Sequence, residues 1–301
     1  MLKRHHVLAV LVFLVSMETM AQNLNSVRQQ IQHIVAGKKA TVGIALMSDD
    51  GKDTASIYGN RHFPLQSVFK FHIALAMLSQ IDQGKFSLDQ PIKIQKKDLL
   101  PKLYSPIRDK YPNGTTMNLS EMLAYTVSQS DNVGCDLLLK LLGGPEAVER
   151  YIKQSGTNDI SIKVNEETQQ ANWDLQFKNW TTPRAAVNVL QTFYVNRNKR
   201  LSTQSHDFIW TVMKGTQTGQ ARLKGQLPKQ TIVAHKTGSS GTNKAGITAA
   251  VNDIGIVFLP NGRYYFISVF VKDSRENEDT NEKLIADIGK ATWDYFMKRL
   301  Q

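Results

Sequence analysis

Apolar positions recur along this chain in two rhythms, and the rhythm changes with position. From Asn23 to Ala36 they follow a helical spacing that stops at Gly37. Ala40–Met47 and Thr54–Tyr58 are strand-like runs on either side of Ser48-Asp49-Asp50-Gly51, a turn composition. The strand rhythm returns only near the other end, at Thr231–His235, Ile247–Leu259 and Arg263–Val271, with Pro260-Asn261-Gly262 turning between the last two. Glu278–Leu300 closes the chain as a long helix.

The stretch between these ends reads as helical. Asn118 with Glu121 three residues on has the form of a capping box. Gly143-Gly144-Pro145 stops one helix and starts the next, Glu146–Gln154, which Gly156 terminates. Thr182-Pro183 opens Arg184–Tyr194, and Ser202 opens a helix that ends near Gly215. The fold class predicted is α/β in the α+β sense: a five-stranded antiparallel sheet flanked by terminal helices, with an all-helical subdomain inserted between its second and third strands. Residues 22–60 and 216–301 make the sheet part and 61–215 the insert, which puts a site at their interface.

The first 21 residues read as an export signal. A basic stretch, Lys3 to His6, precedes the short apolar core Val7–Val15, too short to span a bilayer, and Thr19-Met20-Ala21 offers a small-x-small cleavage site. Cleavage after Ala21 predicts a soluble periplasmic protein without a membrane anchor. Losing Lys3, Arg4 and Glu18 takes the net charge only from +11 to +10. That charge suggests nucleic acid, but the basic residues are scattered (Lys38-Lys39, Lys96-Lys97, Arg197 to Arg200) with no basic helix or aromatic-basic motif. They read as a solvated face, not a nucleic-acid surface. Cys135 is the single cysteine, which excludes an internal disulfide, and its apolar helical run Val133–Leu142 makes it a buried hydrophobe. The seven histidines form no zinc pattern, so no metal is expected.

Three short motifs carry candidate chemistry. Ser67-Val68-Phe69-Lys70 opens the apolar helical run Phe71–Ile81, so the Lys70 amine shares a helix face with the Ser67 hydroxyl and can take its proton if burial lowers its pKa. Ser130-Asp131-Asn132 follows the helix Leu119–Val127; its hydroxyl suits proton return to a leaving nitrogen, and Asn132 can both donate and accept. Lys236-Thr237-Gly238 ends the strand Thr231–His235, where ammonium and hydroxyl suit a carboxylate and Gly238 lets a ligand lie against the backbone. The Ser67 and Ser239 N–H groups are candidates for an oxyanion hole. Each motif alone is common; together and in this order they are not.

S-x-x-K, S-D-N and K-T-G form the known motif set of class A β-lactamases and penicillin-binding proteins. The chain resembles class A serine β-lactamases over essentially its whole mature length. The resemblance implies β-lactam hydrolysis through an acyl-enzyme on Ser67, without metal or organic cofactor, by a monomer. Asn165-Glu166-Glu167-Thr168-Gln169-Gln170 resembles the family's omega-shaped loop, with Glu166 as the base for the hydrolytic water, Glu167 as the fallback, and Gln170 in the place of the amide that holds that water. Tyr104 resembles the aromatic wall of the cleft entrance. Arg222 resembles the arginine some members use for the substrate carboxylate; the strand after K-T-G carries Thr248 and Asn252 but no arginine.

The chain also departs from the family. Val164 and Asn179 occupy the places of the arginine and aspartate that usually clamp the omega loop, so that salt bridge cannot form. Such departures resemble a divergent subclass, several of whose members hydrolyse cephalosporins, bulky ones included. Lys70 or Glu166, acting through water, remain alternatives as the acylation base. A D-alanyl-D-alanine peptidase (a penicillin-binding protein) and a β-lactam-binding sensor are the rival functions; Glu166 speaks against the first and the lack of a tether or signalling domain against the second.

Overall fold

The computed structural model describes residues 25–299. The export signal, the cleavage after Ala21 and the outer ends of the expected helices Asn23–Ala36 and Glu278–Leu300 fall outside the described residues.

In chain order, helix α1 (25–35) leads to β1 (Thr41–Ser48), β2 (Thr54–Ile57), β3 (Phe63–Pro64) and helix α2 (Phe69–Asp82). There follow β4 (Pro91–Gln95), α3 (Pro106–Lys110), β5 (Gly114–Asn118), α4 (Leu119–Ser128), α5 (Asn132–Leu142), α6 (Pro145–Gln154) and β6 (Ile160–Ser161). Then come α7 (Glu166–Ala171), β7 (Trp180–Thr181), α8 (Pro183–Val195), α9 (Thr203–Lys214), β8 (Val233–Ser239), β9 (Thr248–Phe258), β10 (Tyr264–Ser274) and α10 (Glu278–Lys298).

The main sheet has the order β2-β1-β10-β9-β8, and every neighbour pair is antiparallel. The first and last parts of the chain therefore complete one sheet, with β1 pairing β10 from Thr41↔Lys272 to Ser48↔Tyr265. Side chains alternate across a strand, and β10 shows what each face buries. Tyr265, Ile267, Val269 and Val271 pack with Val27 and Ile31 of α1 and with Leu284, Ile288 and Phe296 of α10. Phe266 and Phe270 point the other way, into the core shared with α2, α8 and α9. With both faces covered, β9 and β10 are buried over nearly their whole length.

The stretch between β2 and β8 is mainly helical among the described residues and carries two small additions, the β4–β5 ladder with its register Pro91↔Asn118 to Gln95↔Gly114 and the short three-stranded sheet β3-β7-β6. The expected caps form at Thr182 and Ser202, and Asp131 adds one that the sequence reading did not name, each accepting from a backbone N–H of the first turn; Gly143 ends α5 in the left-handed region at φ 85°. The capping box at Asn118 does not form: Asn118 closes the β5 ladder, and its side chain caps nothing in α4. The other difference concerns β8. The polar sequence of Lys236 to Ser239 looks like a strand end, yet it continues the ladder with β9 to Ser239↔Val251, so K-T-G lies inside the strand.

Candidate active site

Ser67 lies in a 3-10 turn, Gln66–Val68, that runs straight into α2, with Gln66 at φ 46°. Two features of the sheet hold that turn. The Asn252 amide on β9 donates to the carbonyls of Pro64 (2.8 Å) and Leu65 (3.2 Å). Gly238 on β8 lies so close that a Cβ there would stand 2.8 Å from the Leu65 carbonyl oxygen and 3.3 Å from the Ser67 nitrogen. Glycine at 238 thus serves the approach of strand to nucleophile turn as well as any ligand.

Lys70, fully buried as the second residue of α2, is the hub. Its Nζ donates to Ser67 Oγ (2.6 Å), to Asn132 Oδ1 (2.7 Å) and to the carboxylate of Glu166. Glu166 Oε1 also stands 3.4 Å from Ser67 Oγ. A three-residue helical spacing, the first residue of α5 and the first of α7 therefore converge on one hydroxyl. Burial, the largest single influence, pulls the Lys70 ammonium toward neutrality, but Glu166, by charge and hydrogen bond, together with other nearby negative groups such as Asp136 holds Lys70 above the usual lysine range. The sequence asked for a lysine of lowered pKa; the resting geometry instead gives an ion pair beside Ser67.

On the opposite side, Ser130 occupies the left-handed region at φ 61° in the tight link between α4 and α5. Its hydroxyl accepts from Lys236 Nζ at 3.0 Å. Complete burial pushes the Lys236 ammonium well below the usual range, and the positive charge of Lys70 adds to this. Two lysines in one cleft thus differ because Glu166 pairs directly with Lys70, whereas Lys236 has a hydroxyl and a carbonyl as its hydrogen-bond partners. Asp131, fully buried, ties this link to the entrance loop: it accepts from Ser105 Oγ (2.8 Å) and from the Ile107 (2.7 Å) and Gly134 (2.8 Å) amides.

Ser67, Ser130, Asn132 and Glu166 open into a cleft of about 790 Å³ that also reaches Tyr104, Gln170, Arg222, Thr237 and Ser239. Over residues 26–296 the sequence matches the family described as the β-lactamase enzyme family. The chain belongs to that family. Among its relatives, β-lactamase VEB-1 of Pseudomonas aeruginosa is 52% identical over 270 residues, covering 90% of each chain. The extended-spectrum β-lactamase PER-1, also of Pseudomonas aeruginosa, is 42% identical and covers 95% of this chain and 92% of its own length. A crystal structure of a β-lactamase from Chitinophaga pinensis superposes with TM-score 0.87 at 50% identity, over 89% of this chain and 98% of its own. A representative class A β-lactamase from Bacteroides cellulosilyticus gives TM-score 0.88 at 41% identity, over 92% and 99%.

This β-lactamase replaces the family's omega-loop salt bridge with an amide. Asn179, fully buried, accepts from the Lys163 (2.7 Å) and Val164 (3.0 Å) amides and donates to the Val164 carbonyl (2.8 Å). One neutral side chain closes the loop that a charge pair closes elsewhere. Asp136 on α5 holds the loop's other end, accepting from the Glu166 (2.7 Å) and Glu167 (2.9 Å) amides at the start of α7. Sequence reading passed over Asp136, although it follows Asn132 by four residues and so shares its helix face. It also passed over Gln169, whose buried amide lies 3.5 Å from Glu166 Oε2 and 3.1 Å from Gln66 Oε1, whereas Gln170 lines the cleft from an exposed position. Asn165, which caps α7 through Thr168, was the readable signal for a helix that places Glu166 and Gln169 together.

Tyr104 stands at the rim with 56% of its surface exposed. Arg222 is buried, and most of its donors are already engaged: Nε with Glu282 (3.0 Å), Nη1 with the carbonyls of Gly238 (3.1 Å) and Asn252 (3.0 Å), Nη2 with Ser239 Oγ (2.7 Å). Its neighbour Thr218, not expected from sequence, meets Thr237 Oγ1 at 2.6 Å. Cys135 is buried and burial pushes its thiol well up, which leaves it an inert core side chain.

Proposed function

We propose that this enzyme hydrolyses penicillins and cephalosporins through an acyl-enzyme on Ser67, and that it thereby confers resistance to them. The observation that carries the reading is the contact of Lys70 Nζ with both Ser67 Oγ and the Glu166 carboxylate. Ser67 Oγ attacks the lactam carbonyl while its proton passes to the Lys70–Glu166 pair, and the Ser67 and Ser239 N–H groups receive the developing oxyanion. Ser130, beside Lys236, returns a proton to the lactam nitrogen as the C–N bond breaks. Glu166 then takes a proton from a water that attacks the ester carbonyl, which releases the product and restores Ser67. Asn132 and Gln170 orient the substrate, Tyr104 walls the entrance, and Lys236, Thr237, Ser239 and Arg222 form the end that receives its carboxylate. The site is assigned to the interface between the sheet part, residues 22–60 and 216–301, and the insert, residues 61–215. Export with cleavage after Ala21 would deliver a soluble periplasmic monomer; among the described residues, no helix is long and apolar enough to cross a membrane.

Turnover of a chromogenic cephalosporin, followed with intact-mass spectrometry, tests the assignment. Wild type turns over the substrate, and a quenched sample carries its adduct on Ser67. Ser67→Ala is expected to lose both turnover and adduct while keeping the wild-type circular dichroism spectrum; an adduct on another residue refutes the assignment.

A further inference from the structure

His235 and Asp253 form a buried polar pair directly behind the carboxylate end of the cleft, and nothing in the chemistry above uses it. Both side chains are essentially inaccessible, at 1% and 0% exposure. His235 Nδ1 lies 3.0 Å from Asp253 Oδ1 and 3.1 Å from Oδ2. A carboxylate only accepts, so Nδ1 carries the hydrogen. The pair is diagonal across the β8–β9 ladder, where His235 faces Gly255 and Thr237 faces Asp253. Gly255 leaves the room: a Cβ there would sit 2.8 Å from the His235 Cβ and 2.5 Å from the Ala234 carbonyl oxygen.

What the pair holds is the turn over residues 216–223. Asp253 Oδ2 accepts from the Leu223 amide at 3.2 Å, and the Thr216 hydroxyl donates to the His235 carbonyl. From that anchored turn, Thr218 reaches Thr237, and Arg222 reaches Ser239 and the Gly238 carbonyl. From behind, Gly289 of α10 lets the turn sit close, since a Cβ there would stand 2.9 Å from the Leu223 carbonyl oxygen. The donors offered to an anion at this end of the cleft thus sit on a turn that a carboxylate held by an imidazole fastens to β9, alongside the Gln217 amide on the Ser128 carbonyl and the Arg222 guanidinium on Glu282. Asp253 also places a negative charge near Lys236, opposing the downward pull of burial on its ammonium.

We propose that His235 and Asp253 are positioning residues for the substrate carboxylate: they fix the turn that carries Thr218 and Arg222 against Thr237 and Ser239, and so govern acylation efficiency without touching the substrate. The inference rests on the reading that this end of the cleft receives the carboxylate. It separates from the chemistry at Ser67 and Glu166, because the pair contacts neither.

The test compares a cephalosporin with its methyl ester, measuring kcat/KM for acylation and the decay of the acyl-enzyme separately. Wild type is expected to prefer the free acid. Asp253→Asn and His235→Ala are each expected to lower kcat/KM for the free acid about tenfold, the scale of one charge-assisted hydrogen bond. They leave the ester and acyl-enzyme decay near wild type. His235→Asn keeps an N–H close to the position of Nδ1 and is expected to restore most of the loss; should Asp253→Asn fail to fold, the two His235 variants decide. Equal losses on acid and ester, or no loss on either, overturn the positioning role while the carboxylate reading stands. If wild type itself treats acid and ester alike, the carboxylate reading falls and takes this inference with it.

Discussion

Glu166 and Glu167 are adjacent in sequence, but the start of α7 sends them to different places. The side chain of Glu166 is buried at 2% exposure against Lys70 and Ser67, whereas Glu167 is exposed on the outer side of the loop. A carboxylate acts as a base by being ionised and close, and its amide isostere keeps the shape but not the basicity. Glu166→Gln is therefore expected to acylate, then slow acyl-enzyme hydrolysis by about 10²- to 10⁴-fold, the usual worth of a general base. Stopped-flow turnover would show a burst with little steady state, and intact mass would show the adduct accumulating. Glu167→Gln is expected to turn over normally; the reverse outcome for the two variants would exchange their roles. Single residues of this kind were legible where a motif fixed them: Ser67 and Lys70 meet as their three-residue spacing suggested, and the structure adds Asn132 beside Lys70 and Lys236 beside Ser130. Gln169 and Arg222 show the limit. Which of two neighbouring glutamines reaches Glu166 depends on a helical phase set by Asn165, and an arginine's free donors depend on carbonyls and an acid brought from β8, β9 and α10.

Among elements, the sheet was legible because strand-like runs, turn residues and length agree over five strands. The segment from 160 to 181 was not, because its helix and strands are held by side chains from elsewhere and not by its own periodicity. Asp136 is the chief of these. Burial, with like charge from Glu166 opposing its ionisation, raises its pKa from 3.8 to about 6 despite two amide donors. The folded state thus binds this proton more tightly than the unfolded chain, so the group's contribution to stability falls as pH rises from 3.8 to about 6 and levels off above. Two pH units of difference correspond to about 3 kcal/mol at most. Asp136→Asn has no proton to bind and keeps one acceptor. Urea denaturation from pH 4 to 7 is expected to show wild type losing stability relative to Asp136→Asn across pH 4 to 6; parallel curves would mean that the carboxylate is not held as described. The variant is also expected to keep Ser67 acylation, because its loss falls on the loop.

At the scale of the whole molecule, two cores on opposite faces of one sheet must be placed with atomic accuracy at the nucleophile. One core lies between the sheet and the terminal helices α1 and α10; the other joins the sheet's opposite face to the helices of the insert. Each could be read from apolar patterning, since burying a face needs only the right period. Their relative placement could not, because it rests on a few contacts between residues far apart in the chain. Gly238 is the tightest of them. Its backbone passes the Leu65 carbonyl, the Gln66 side chain and the Ser67 amide at distances a Cβ would reduce to 2.8, 3.0 and 3.3 Å. Two of these neighbours are backbone of a turn already committed at Gln66 φ 46° and fastened by Asn252, so they cannot yield by turning a rotamer. Gly238→Ala must therefore push β8 away from the Ser67 turn. Overpacking of this kind costs about 1–3 kcal/mol, and displacement of the nucleophile against its oxyanion donors by an ångström costs on the order of 10² in rate. The expected result is a modest fall in melting temperature with about a hundredfold loss of acylation rate. Acyl-enzyme decay, once Ser67 has reacted, is expected to fall less, because Lys70, Glu166 and Asn132 approach from the insert. Equal wild-type rates in Gly238→Ala would show that strand and turn are not coupled through this contact.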